Sequence, residues 1–146
     1  MIRTVFDTNV LVSALLCPAS PPAKLLELAL QGKIRLILSP HILQEVERVF
    51  FYPKIQRILK RRGIEPGELE EVIARIVKVT VITSGKLTVQ AVPADPADDL
   101  VLAGALEGQA EFVVSGDHHL TDLKGFAGIK IIEPAAFLQA CLETEA

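Results

Sequence analysis

Five short runs of mostly aliphatic residues, 2–6, 34–38, 77–82, 112–115 and 129–132, alternate with stretches of helical pattern along the chain. They lack the polar-apolar alternation of a strand with one wet face, so they read as strands covered on both sides. Between them, residues 23–31 stop at Gly32, and residues 40–51 follow Ser39, an N-cap with proline at the first helical position. A further helix starts at Pro53 and ends at Gly63. Residues 68–76 follow Pro66-Gly67, residues 97–107 precede Gly108, and Pro134 opens a last helix through Leu142; residues 93–96 read as a loop. Alternation of this kind predicts an α/β fold, a largely parallel sheet with helices on both faces, and a single domain over residues 1–146.

Composition narrows the function classes. Half of the 146 residues are hydrophobic and 23% are charged, which suits a globular core and excludes a disordered or low-complexity chain. No apolar run reaches the roughly 18 residues of a membrane span, and no basic segment leads into an apolar stretch and cleavage site, so a cytoplasmic protein without membrane contact is expected. Cys17 and Cys141 stand far apart without a CxxC spacing, which suggests neither a disulfide framework nor a zinc site. A net charge of −3 gives no global attraction to nucleic acid, so such binding needs a local basic patch. Lys54, Arg57 and Arg61, with Lys60 beside them, recur at helical spacing opposite Ile55, Ile58 and Leu59. This stripe reads either as a solvated face or as a grip on RNA phosphates.

In a parallel α/β sheet, ligands bind outside the carboxyl ends of the strands, where the strand order reverses. Acids gather at those ends. Asp7 follows the first strand and Asp117 the fourth, while Asp95, Asp98 and Asp99 lie in the loop and first turn of the helix entering that fourth strand. Glu45, on the helix after the second strand, falls roughly 40° outside the apolar arc of Ile42, Leu43, Val46, Val49 and Phe50 at 100° per residue. Taken singly, each acid has a structural reading. Asp117 suits a turn and N-cap, Asp98 and Asp99 suit a helix dipole, and Glu45 suits a solvated face. Asp7 is harder to place so, because a carboxylate at a buried strand tip is costly unless a cation or donor network neutralises it. Carboxylates converging on one crevice repel one another and call for a cation. Oxygen ligands select Mg2+ or Mn2+, one or two ions, and such a site suits phosphodiester hydrolysis, with Asn9 and Ser115 orienting ligands by neutral hydrogen bonds. His41, His118 and His119 have no nucleophile partner or zinc-like spacing. An aspartate-nucleophile phosphatase would need a second Asp where Asn9 stands.

Four blocks carry a family resemblance: residues 7–13 (DTNVLVS), 39–45 (SPHILQE), 95–103 (DPADDLVLA) and 114–120 (VSGDHHL). In that order they resemble the motifs of PIN-domain nucleases, and within that family they are similar to VapC ribonucleases, the toxins of prokaryotic toxin-antitoxin systems. The resemblance implies a three-layer α/β/α sandwich with a five-stranded sheet of order 3-2-1-4-5. It implies that Asp7, Glu45, Asp98 and Asp117 are catalytic and bind Mg2+ or Mn2+, with Asp99 or Asp95 as sharers of the role given to Asp98. Asn9 and Ser115 match the small polar positions, Ser115 standing where threonine is usual. A metal-dependent endoribonuclease acting on single-stranded RNA is the expected function, with a homodimer and an antitoxin partner; a catalytically silent RNA- or protein-binding module is the alternative.

Overall fold

The computed structural model describes residues 1–91 and 96–145. Strand β1 (Ile2–Phe6) lies at the centre of the sheet, as a segment with Thr4, Val5 and Phe6 all at or below 1% exposure must. It pairs in parallel with β2 (Ile34–Leu38), Ile2 opposite Ile34, and on its other edge with β4 (Phe112–Val114), Thr4 opposite Phe112. Outward from β2 lies β3 (Thr80–Ile82), and outward from β4 lies β6 (Ile129–Ile132), both parallel to their neighbours. A two-residue strand, β5 (Gly125–Phe126), runs antiparallel at the β6 edge. The full order is therefore β3-β2-β1-β4-β6-β5. Its five parallel strands follow the expected 3-2-1-4-5 order, and the sixth is an addition that the sequence did not announce.

The α/β class is as expected, with local differences that have physical causes. Helix α1 (Thr8–Leu16) escapes a periodicity reading because Thr8, Val10, Leu11, Val12, Ala14 and Leu16 are all buried, leaving too narrow a polar face. Helix α5 (Pro66–Val79) runs through residues 77–79, which read as strand; their branched side chains serve the helix, and β3 keeps only three residues. The other helices are α2 (Pro21–Leu30), α3 (Pro40–Phe50), α4 (Pro53–Arg61), α6 (Pro96–Glu107), α7 (His118–Thr121) and α8 (Pro134–Glu145). Ser20 and Ser39 cap α2 and α3, their hydroxyls accepting the N–H groups of Ala23 and Ile42. The 93–96 loop lies outside the described residues except for Pro96, which opens α6.

Two features fix the site. Helix α6 packs on β1, β2 and β4 at once. Gly108 permits this approach, since a Cβ there would stand 2.4 Å from Ile37 Cγ2. The strand connections also run in opposite directions from β1, toward β2 on one side and β4 on the other, so a crevice opens at the carboxyl ends of β1 and β4. Among the described residues, no helix is long and apolar enough to cross a membrane.

Candidate metal centre

Strand β1 delivers Asp7 to the crevice, 93% buried, and the backbone continues at once into α1. Asp7 is the N-cap of that helix: one carboxylate oxygen accepts the Val10 N–H at 2.9 Å, and the other accepts the Ser115 hydroxyl. Ser115, fully buried at the end of β4, also accepts the Asp117 N–H at 3.0 Å. One serine thus ties the tips of the two central strands together. Burial pushes the Asp7 carboxyl above the ordinary aspartate range. The hydrogen bonds from Ser115 and Val10 pull it partly back, and the neighbouring Asp117 and Glu45 carboxylates push it up again. Asp117 and Glu45 are thus near enough for their charges to bear on Asp7.

Asp117 caps α7, accepting the His119 N–H at 2.9 Å, so its structural reading is correct as far as it goes. A cap occupies one lone pair of one oxygen and leaves the carboxylate able to ligate. Asp98 sits buried in the first turn of α6. Donor atoms of Asp98, Asp117 and His119 all lie within 4.8 Å of one another. His119 Nδ1 stands 3.7 Å from Asp117 Oδ1, with its side chain 44% exposed at the mouth. Two carboxylates and an imidazole fit a divalent cation, and the nitrogen favours Mn2+ relative to an all-oxygen set. The N-termini of α1 and α6 meet the acids as well, and their dipoles offset part of the mutual repulsion.

His119 is the residue that spacing alone does not find. It enters the cluster because an Asp cap turns the residue two places on back toward its own carboxylate. His118 stacks against it, ring centroids 4.4 Å apart, and stays exposed. Glu45, half-buried on α3, lines a cavity of about 260 Å3 with Arg48, Leu100 and Val101, between α3 and α6. Asp99 accepts the Ala91 N–H at 2.8 Å, which braces the chain before α6. Asn9 is exposed in the first turn of α1, and Asp95 lies outside the described residues. Lys54, Arg57 and Arg61 are exposed on α4, whose Leu59 is buried against the core. A larger cavity, about 760 Å3, lies among the described residues as a mostly apolar groove between α4, α5 and the end of α3. It holds none of the four expected acids, and the chemistry locates the candidate site in the crevice instead.

Comparison with known proteins agrees with this architecture. The chain matches the PIN domain over residues 3–119, a stretch that begins in β1 and ends at His119. It is also 30% identical over 123 residues to an uncharacterized protein of Methanocaldococcus jannaschii, covering 84% of this chain and 76% of that one. With the acid-lined crevice at the carboxyl ends of β1 and β4, this match places the chain in the PIN domain family, and its fold is that of a nuclease.

Proposed function

We propose that the protein is a metal-dependent endoribonuclease that cleaves single-stranded RNA, with Asp7, Glu45, Asp98 and Asp117 as its acidic set. The observation that carries this reading is the meeting of Asp98, Asp117 and His119 donors within 4.8 Å, beside an Asp7 that feels the charges of Asp117 and Glu45. Asp98 and Asp117, with His119, would hold Mg2+ or Mn2+, and Asp7 and Glu45 complete the negative wall. When bound, the ion supplies an activated water and offsets charge on the phosphate in the transition state. The chain's own part is positional. Ser115 fixes Asp7 and the Asp117 backbone together, and the caps of α1 and α7 hold both carboxylates in set rotamers. Asn9, exposed in the first turn of α1 two residues after Asp7, would orient water or a ribose hydroxyl, and the α4 cations Lys54, Arg57 and Arg61 would attract the RNA backbone.

The likeness to VapC ribonucleases supports a further reading: a cytoplasmic toxin, dimeric, paired with an antitoxin. Mixed single-stranded RNA incubated with Mg2+ or Mn2+ tests the activity. Defined products that disappear with chelator and with Asp7→Asn are expected. RNA binding without cleavage would move the protein to the silent binding class. Growth arrest on expression, absent with Asp7→Asn, is the expected sign of toxicity.

A further inference from the structure

Phe51 and Tyr52, at the junction of α3 and α4, are 79% and 50% exposed. Two rings adjacent in sequence thus each leave apolar surface in water. The junction is not loosely held. Phe51 N–H donates to Arg48 O at 3.1 Å and Tyr52 N–H to Val49 O at 3.0 Å, and Tyr52 O accepts from both Ile55 and Gln56 N–H at 3.0 Å. The Gln56 side chain also bonds Phe50 O. The rings therefore stand on a set turn, with little backbone order left to gain on binding. Tyr52 occupies the N-cap of α4 and makes no side-chain cap bond. Ser, Thr, Asp or Asn there would cap the helix better, so local stability does not account for a tyrosine.

The neighbouring charge selects the partner. Residues 53–64 carry five of the chain's fifteen Lys and Arg and no acid. Glu47, Glu65 and Glu70 share the groove that Phe51 lines with Arg57 and Lys60, and the unbroken basic run of α4 beside the rings suits a polyanion that also offers flat apolar faces. Along α3, Glu45 and Arg48 line the cavity beside α6, and Tyr52 follows them by seven and four residues. Helix α3 ends at Phe50 with Phe51 as its C-cap, so Tyr52 stands just past the end of the helix that carries both residues.

We propose that Phe51 and Tyr52 are a base-stacking platform which, with the α4 cations, holds unpaired nucleotides of an RNA strand as it leaves the acidic crevice. This rests on the nuclease reading only for where the strand comes from. Stacking requires open base faces, so the platform admits single strands and rejects duplex. It thereby makes strandedness a property of the α3–α4 junction rather than of the acids.

Tyr52 is the protein's sole tyrosine and the chain has no tryptophan, so tyrosine emission reports this position alone. The full chain is titrated in chelator with a short oligouridylate, corrected for absorption against free tyrosine amide. Quenching that saturates with the affinity read by anisotropy of a labelled strand is expected, with no comparable quenching by an RNA duplex of equal length. Tyr52→Leu and Phe51→Leu each weaken single-strand binding about tenfold and leave the salt dependence unchanged, while Tyr52→Phe retains wild-type affinity. Saturable binding without quenching overturns the proposal, as does wild-type affinity in both leucine variants. A dimer that Phe51→Leu dissociates overturns it too, by assigning the patch to a second copy. Because chelator prevents cleavage, stacking without metal-dependent products would sink the nuclease reading and leave the platform standing.

Discussion

The acidic crevice and the α3–α4 junction differ in charge, and more tellingly in how each is attached to the fold. In the crevice, chemistry and architecture use the same atoms: buried Asp7 caps α1, half-buried Asp117 caps α7, and fully buried Ser115 joins the two strand tips. On α4 the cations and rings project outward, and the helix is anchored by Leu59 and half-buried Ile55 and Ile58 on its opposite face. Changes in the crevice should therefore move stability and function together. Changes on α4 should move affinity alone.

The largest expected effect separates the two regions outright. Asp98→Asn should lower metal-dependent RNA cleavage about 10³-fold, the scale of losing a principal stabiliser of transition-state charge. The triple change Lys54→Ala, Arg57→Ala and Arg61→Ala should leave the rate at saturating RNA near wild type. Single-turnover kinetics across RNA concentration checks both; a triple variant as inactive as Asp98→Asn would erase the distinction.

Next in size is Ser115→Ala, which leaves every acid in place and removes only their brace. A loss of about 10- to 100-fold in metal affinity is expected, as for other groups that orient ligands from behind. Calorimetric Mn2+ titration reads it. On α4, the triple variant should reduce the slope of log affinity against log salt by about 2, at roughly 0.7 per phosphate contact on a single strand. An unchanged slope would return these residues to an ordinary solvated face.

The smallest effect is thermodynamic and has a definite sign. Burial raises Asp7 above its ordinary value of 3.8, so the folded protein holds that proton more tightly than the unfolded chain. Without divalent ions, its contribution to stability is then fullest below the ordinary value and declines as pH rises from there through the raised value. Asp7→Asn should flatten that decline and raise the melting temperature of the metal-free protein by about 2–4 °C, equivalent to roughly 1 kcal/mol, while abolishing cleavage. Thermal unfolding from pH 4 to 8 in chelator measures it, and a lower melting temperature in Asp7→Asn would show that the charge stabilises the fold.

How much of this was legible depended on whether a feature was local. Strand and helix alternation, Ser39-Pro40 as a helix start and Asp7 as a costly strand-tip charge are each written in a few adjacent residues. Helix α1 was hidden by its own burial, which removes the amphipathic period, and β5 by its two-residue length. The Ser115 bridge to Asp7 spans 108 residues and belongs to strand pairing, so no spacing rule reveals it. His119 was hidden for the opposite reason. It lies so close to Asp117 that it reads as part of a turn, and only the cap geometry turns it inward. At α4, the basic stripe was visible as periodicity, but the exposure of Phe51 and Tyr52 was not, because two aromatics beside Phe50 look like core.

The most direct test asks whether acids so far apart in sequence act as one site. Isothermal calorimetry of Mn2+ binding to the wild-type chain, Asp98→Asn and Asp117→Asn, with Lys54→Ala as a control outside the crevice, reads this without RNA. Saturable binding in wild type and Lys54→Ala, lost in each crevice variant, is predicted. Wild-type Mn2+ affinity in both Asp98→Asn and Asp117→Asn would contradict a shared metal centre.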